Sequence, residues 1–323
     1  MALEIPENGP EFEEMMREID ASLMKQGAAI TARPLLAGRE ISLKYGVDFP
    51  VIPPGPRAPP ALRRYGPLSE KVHAWFEAAY GDRLKIDPSP GRIVVDIDGD
   101  LYSLLLPRFW GQGEFVISRR FLPPTEIGIN RPFRSNILQL VDHMTEAKAA
   151  LISREAIQSI FEHFPIALRV LYDLESSSSS DLIRIARSDL DTAAEKLVGR
   201  GEHYGESKWA SLQATEKCLK AAISLGGAQF RHGHTLTALL QQLGELGITV
   251  STPGLVDLIQ CRGGIRYGED PCTRDEALAA HHASFQLICQ LIAAGAKFQS
   301  ELSVTKLGIG TYAATKSVAP RNR

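Results

Sequence analysis

Seventeen of the chain's 20 prolines precede Ser176, and three follow Ser180. Proline fixes φ, removes a backbone donor and interrupts helix interiors. The two sides of the serine run Ser176–Ser180 therefore cannot be built alike. Other properties divide at the same place. All four cysteines (Cys218, Cys261, Cys272, Cys289) follow the run. Residues 1–175 carry 20 basic and 24 acidic side chains, and the remainder carries 16 and 14. A chain of 323 residues suits two domains, with the serine run as a candidate linker over 176–180. With 44% hydrophobic and 23% charged residues, wholesale disorder is excluded. The net charge of −2 excludes a chain-wide basic field for nucleic acid, though not a local patch.

No window approaches the roughly 20 apolar residues of a membrane span. The acidic start, MALEIPENGPEFEEMM, lacks the pattern of a secretory signal. The expectation is a cytoplasmic chain with no membrane association. The cysteines are too few for a disulfide framework and match no standard zinc spacing, even counting the nearby His281 and His282. Free thiols, and neither a metal nor a cofactor, are expected.

In the first part, Phe12, Met15, Met16, Ile19 and Leu23 recur at helical spacing, which predicts a helix over 11–26. PVIPPGPRAPP, residues 50–60, predicts an extended segment. A second helix is expected over 67–80. RIVVDIDGDLYSLLL, starting at Arg92, places Asp98-Gly99 between two apolar runs, a hairpin signal. A further strand is expected over 114–119, with helices over 134–149 and 153–173. Ser153 caps the last of these, and Pro165 should kink or divide it. Asp96, Asp98 and Asp100 resemble an acidic metal cluster but read better as a solvated turn. Residues 1–175 thus predict an α+β domain with a small antiparallel sheet, and its function is not legible.

After Ser180, apolar periodicity predicts helices over 181–199 and 205–225, a third from His234 to about Leu246, a short one over 253–262 and a long last helix from Thr273. This is an all-α bundle over 181–302, followed by a flexible tail over 303–323. Four local patterns stand in order: Asp189-Leu190 with Ala193-Ala194, then Ala214-Thr215-Glu216-Lys217-Cys218-Leu219-Lys220-Ala221, then Gly233-His234-Thr235-Leu236 with Leu239-Leu240, and finally Arg266-Tyr267 ahead of Glu276-Ala277. Together they resemble a HEPN domain over about residues 181–300. The second pattern is the most specific of the four.

That resemblance implies an up-and-down helical bundle, often a homodimer, found in prokaryotic toxin, defence and nucleotide-handling proteins. It implies either a metal-independent endoribonuclease with an Arg-x4-6-His motif, or an inactive relative that binds nucleotides or docks partners. A nucleotidyltransferase partner would fit a toxin–antitoxin setting. Arg274 and His281 are the candidate catalytic pair, with six residues between them. A histidine can move the proton of a ribose 2′-OH, and an arginine can neutralise the developing phosphorane charge. Candidate nucleotide or phosphate contacts are Arg262, Arg266, Tyr267, His234, Lys217 and Lys220. Three readings follow: a dimeric module binding nucleotide or RNA around Arg262, Arg266, Arg274 and His281; the endoribonuclease; and a structural dimerisation element.

Overall fold

The structure is a computed structural model. It describes residues 4–55, 58–84, 89–109, 111–123, 133–231, 233, 235–296, 298 and 302–316. Two compact units divide the chain, Met1–Asp87 and Pro88–Arg323.

Among its described residues the first unit holds four α-helices: α1 (Gly9–Lys25), α2 (Arg33–Tyr45), α3 (Pro60–Arg63) and α4 (Gly66–Tyr80). The expected apolar stripe of α1 is buried in full. It joins Ala37 and Ile41 of α2 and Leu68, Val72 and Phe76 of α4 in one core. Gly38 sits where any side chain would collide with the backbone of Val51, 2.9 Å from a would-be Cβ. Inside this unit the buried Arg33 donates to Asp20 at 3.0 Å and to the Tyr80 hydroxyl at 2.7 Å. The described part of the proline-rich stretch before Pro60 contains no helix or strand, as its composition requires.

The second unit begins with a hairpin of β1 (Arg92–Ile97) and β2 (Asp100–Leu105). Asp98 and Gly99 take φ of 56° and 97°, the pair of positive values a two-residue turn needs. Next come β3 (Gly111–Val116), β4 (Phe133–Asn136) and α5 (Glu146–Leu151), then α6 (Arg154–Ser176), α7 (Asp181–Val198), α8 (Tyr204–Leu225), α9 (Leu236–Glu245), α10 (Leu255–Ile259) and α11 (Arg274–Ala293). Strands β5 (Leu302–Gly308) and β6 (Thr311–Lys316) complete the described chain. A small antiparallel sheet ahead of a helical bundle is the expected fold class.

Four expectations differ in detail. First, the unit boundary falls at residue 87 rather than at the serine run. Ile93, Val95, Ile97, Leu104 and Leu106 of the hairpin and Phe164, Leu168 and Leu171 of α6 share one core with Leu212, Leu219, Phe285 and Ile288 of the bundle. Ser177–Ser180 is a tight turn between α6 and α7, closed by Ser180 N–H donating to the Ser177 carbonyl at 3.2 Å. Second, the helix expected over 134–149 is replaced by β4, a 3-10 turn (Ile137–Leu140) and α5. The buried Asn136 side chain accepts from Ser118 and Leu138 N–H and donates to the Ser118 and Arg120 carbonyls, so it fixes a turn instead. Third, residues 302–316 of the expected tail form β5 and β6, in a sheet of order β4-β3-β6-β5. Tyr312 and Ala314 alternate inward and are buried. Residues 317–323 lie outside the described residues.

Fourth, α6 runs on through Pro165. A proline there cannot donate to the carbonyl of Phe161, four residues back. The Tyr312 hydroxyl of β6 donates to that carbonyl at 3.0 Å and supplies the missing bond. Its ring also stacks on Phe161, with centroids 4.5 Å apart.

Candidate functional site

Helix α11 starts at a capping box: Thr273 accepts from Glu276 N–H, and the Glu276 carboxylate accepts from Thr273 N–H. Arg274, one residue inside, donates to the carboxylate of Asp96 and to the carbonyl of Gly99, both in the β1–β2 hairpin. Two turns on, His281 is fully buried. Its Nε2 accepts from Val94 N–H at 3.2 Å, and its ring meets Phe285 edge-on at 5.1 Å. His282 Nε2 donates to the Val94 carbonyl at 2.7 Å, and the His163 ring lies 3.8 Å from it. Val94 pairs with Ser103 on one side of β1. Its outward N–H and C=O meet the two imidazoles where a further strand would otherwise lie.

The arrangement sets the protonation of both rings. Burial, reinforced by the neighbouring histidines, holds His281 well below the ordinary imidazole range. Burial pushes His282 down to about 3, opposed by its bond to the Val94 carbonyl. Arg274 and His281 thus do not converge on an accessible cleft, as a catalytic pair must. Arg274 is ion-paired, and His281 is a neutral acceptor sealed against a strand. Together the two side chains clamp the hairpin. The carboxylates around the turn are spent locally as well. Asp96 accepts from Gly99 N–H, and Asp98 accepts from Ser153 N–H at the start of α6. Among the described residues, no group of three or more histidine, cysteine or acidic side chains is placed to hold a metal ion. Cys218 is buried, and burial pushes the Cys261 thiol up to about 11, so these read as inert thiols.

A different place gathers the remaining candidates. The 3-10 turn Gly263–Tyr267 packs on the first turn of α8, and Ile265 is its buried anchor. Only glycine fits at 205, because a Cβ there would stand 2.2 Å from the Ile265 carbonyl oxygen. A cleft of about 370 Å³ opens along this contact, lined among others by Glu202, His203, Glu206, Arg266, Tyr267 and Asp270. A second cleft of about 250 Å³ continues it past Asp189, Trp209 and Lys217, and the two share Glu206 and Arg266.

Charges in these clefts are unevenly committed. Glu206 accepts from Lys196 at 2.6 Å and pairs with His203 at 2.9 Å. The Lys196 ammonium, then His203, keep its carboxyl below the usual range. Lys217 donates to Asp189 at 2.6 Å and to Gln213 at 3.1 Å. Burial raises the Asp189 carboxyl, and the Lys217 bond opposes that rise. Lys220 is held by Glu216 at 2.6 Å and lies over the Phe230 ring. Lys217 thus joins α8 to α7 and also reaches the second cleft, whereas the Lys220 ion pair lies within α8. Arg262 and Arg266 have no ion pair or side-chain hydrogen bond among the described residues, and Tyr267 is 73% exposed beneath the Arg266 guanidinium. His234 lies outside the described residues. Sequence reasoning found Arg262, Arg266 and Tyr267 but missed Glu202, Glu206 and Asp270. A carboxylate beside an arginine-rich loop looks like surface charge until the fold closes a cleft around it.

These features sit in a region with a family match. Residues 179–283, covering α7–α10 and the first half of α11, match the family model of the HEPN domain. No family model matches the N-terminal half. No curated protein and no solved structure matches the chain. No helix among the described residues is long and apolar enough to cross a membrane.

Proposed function

We propose that the HEPN bundle is a nucleotide- or RNA-binding interaction module, working as a homodimer, and that its ligand enters the cleft beside Gly263–Tyr267. The observation that carries this reading is the uncommitted Arg266–Tyr267 pair on the rim of a cleft of about 370 Å³. An unpaired guanidinium is a phosphate ligand, and an exposed aromatic ring is a stacking platform for a base. Arg274 and His281, spent on the hairpin, leave the earlier centre of the site; Arg262 and Arg266 remain. A defence or toxin–antitoxin setting with a nucleotidyltransferase partner rests on the family resemblance alone.

Thermal melting with ATP, GTP and a short single-stranded RNA tests the reading. A ligand that binds the folded state raises the melting temperature by mass action. The rise should shrink with salt and in Arg266→Ala. No shift with any of the three ligands would rule out the binding module and leave the structural role. Light scattering on the same sample tests the dimer.

A further inference from the structure

We propose that the cleft beside Gly263–Tyr267 selects a guanine base, so that its ligand is a guanine nucleotide or an RNA guanosine. This rests on the nucleotide-binding reading above and specifies what that site accepts.

The lining groups differ in whether they are free to bond a ligand. Glu206 is occupied by Lys196 and His203. Asp270 and Glu202 line the same cleft, and neither has a side-chain hydrogen bond or ion pair among the described residues. Asp270 is half-buried. The Oε2 of Glu269 and the Oδ2 of Asp270 lie over Gly264, 2.8 and 3.3 Å from where a Cβ would stand, so the absence of a side chain at 264 gives both carboxylates their room. The free groups are thus two carboxylates that only accept, one guanidinium that only donates, and one exposed phenol ring.

A phosphate is repelled by Asp270 and Glu202, so an anionic group belongs at the Arg266 rim, with Arg262 on the same loop. A group that bonds either carboxylate must donate. Among the bases, guanine alone presents two adjacent N–H donors, N1–H and the 2-amino group, to the two oxygens of one carboxylate. Adenine and cytosine place a bare ring nitrogen beside their amino group, and a carboxylate repels that lone pair. Uracil offers a single N–H between two carbonyls. Bases free of a duplex are read along this edge while stacked on aromatic rings or guanidinium planes, and Tyr267 with Arg266 supplies such a platform. The cleft volume falls within the roughly 300–1,000 Å³ of small-ligand sites.

Calorimetric titration of the full-length chain with GMP, IMP and AMP tests the assignment. GMP is expected to bind at least about tenfold tighter than AMP, the factor of one lost bidentate contact. IMP, which lacks the 2-amino group, should fall between them. Asp270→Asn, whose amide both donates and accepts, should abolish or invert the preference for GMP over AMP, and Glu202→Gln provides a second variant should the first fail to fold. Equal affinity for GMP and AMP in the wild type overturns the guanine assignment while leaving nucleotide binding intact. An unchanged preference in both variants overturns it too. Failure of all three ligands to bind removes the nucleotide reading itself.

Discussion

The backbone N–H of Val94 donates to Nε2 of His281 across 3.2 Å in a fully buried contact. The histidine that would have to move a proton in an Arg-x6-His nuclease is instead the acceptor closing the open side of a β-strand. Arg274, its partner in the motif, holds the turn of the same hairpin through Asp96 and Gly99. This stretch of α11 is a docking face for the hairpin.

Acid should expose this arrangement. His281 and His282 are both depressed below the ordinary imidazole pKa of 6.5, His282 to about 3. As pH falls, the unfolded chain takes up protons first. The contribution of the two rings to stability is therefore complete above pH 6.5 and is lost progressively below it, down to about pH 3 for His282. Each ring contributes a slope of up to about 1.4 kcal/mol per pH unit. Urea midpoints between about pH 7.5 and about pH 4.5 should drop steeply on the acid side. His282→Gln, which can still donate to the Val94 carbonyl, should flatten the drop; an identical slope in the variant would contradict the assignment.

His281→Ala should behave as a core lesion. It leaves the Val94 N–H without its acceptor and opens a void beside Phe285, with an expected loss of about 2–4 kcal/mol. The wild-type chain should leave labelled RNA intact in EDTA. Cleavage that vanishes in a fully stable His281→Ala variant would restore the catalytic pair.

Tyr312 and Pro165 should be energetically coupled. Tyr312→Phe removes the donor to the Phe161 carbonyl and should cost about 1–3 kcal/mol. Pro165→Ala gives the helix back its own N–H at that position. In the Pro165→Ala background the cost of Tyr312→Phe should shrink, and a double-mutant cycle measures the difference. Additive effects would show that the hydroxyl does not serve the proline gap.

Helical periodicity made most of the helices legible, because each buries one continuous stripe. Phe12, Met15, Met16, Ile19 and Leu23 of α1 and Leu190, Ala193, Ala194 and Leu197 of α7 all lie inside. Local rules failed where a distant partner decides. On α7, Ile183 is buried whereas Ile185, two positions on, is 39% exposed, a choice that the packing partner makes. Nothing in SVTKLGIGTYAATKS announces that its second strand pairs with β3, almost two hundred residues earlier. The same holds for the site. Arg266 and Tyr267 stood out in a glycine-rich loop, whereas Asp270 gains meaning only from the approach of the loop to Gly205. Arg274 and His281, seven residues apart on α11, both meet the hairpin, and spacing alone does not say what covers that face.

Ligand is proposed to enter beside Gly263–Tyr267 and not at Arg274 and His281. Hydrogen–deuterium exchange on the full-length chain, with and without saturating GMP, tests it most directly. Protection should appear in residues 202–206 and 262–272 and leave residues 92–104 and 278–285 unchanged. Protection confined to the hairpin and the middle of α11 would contradict the account.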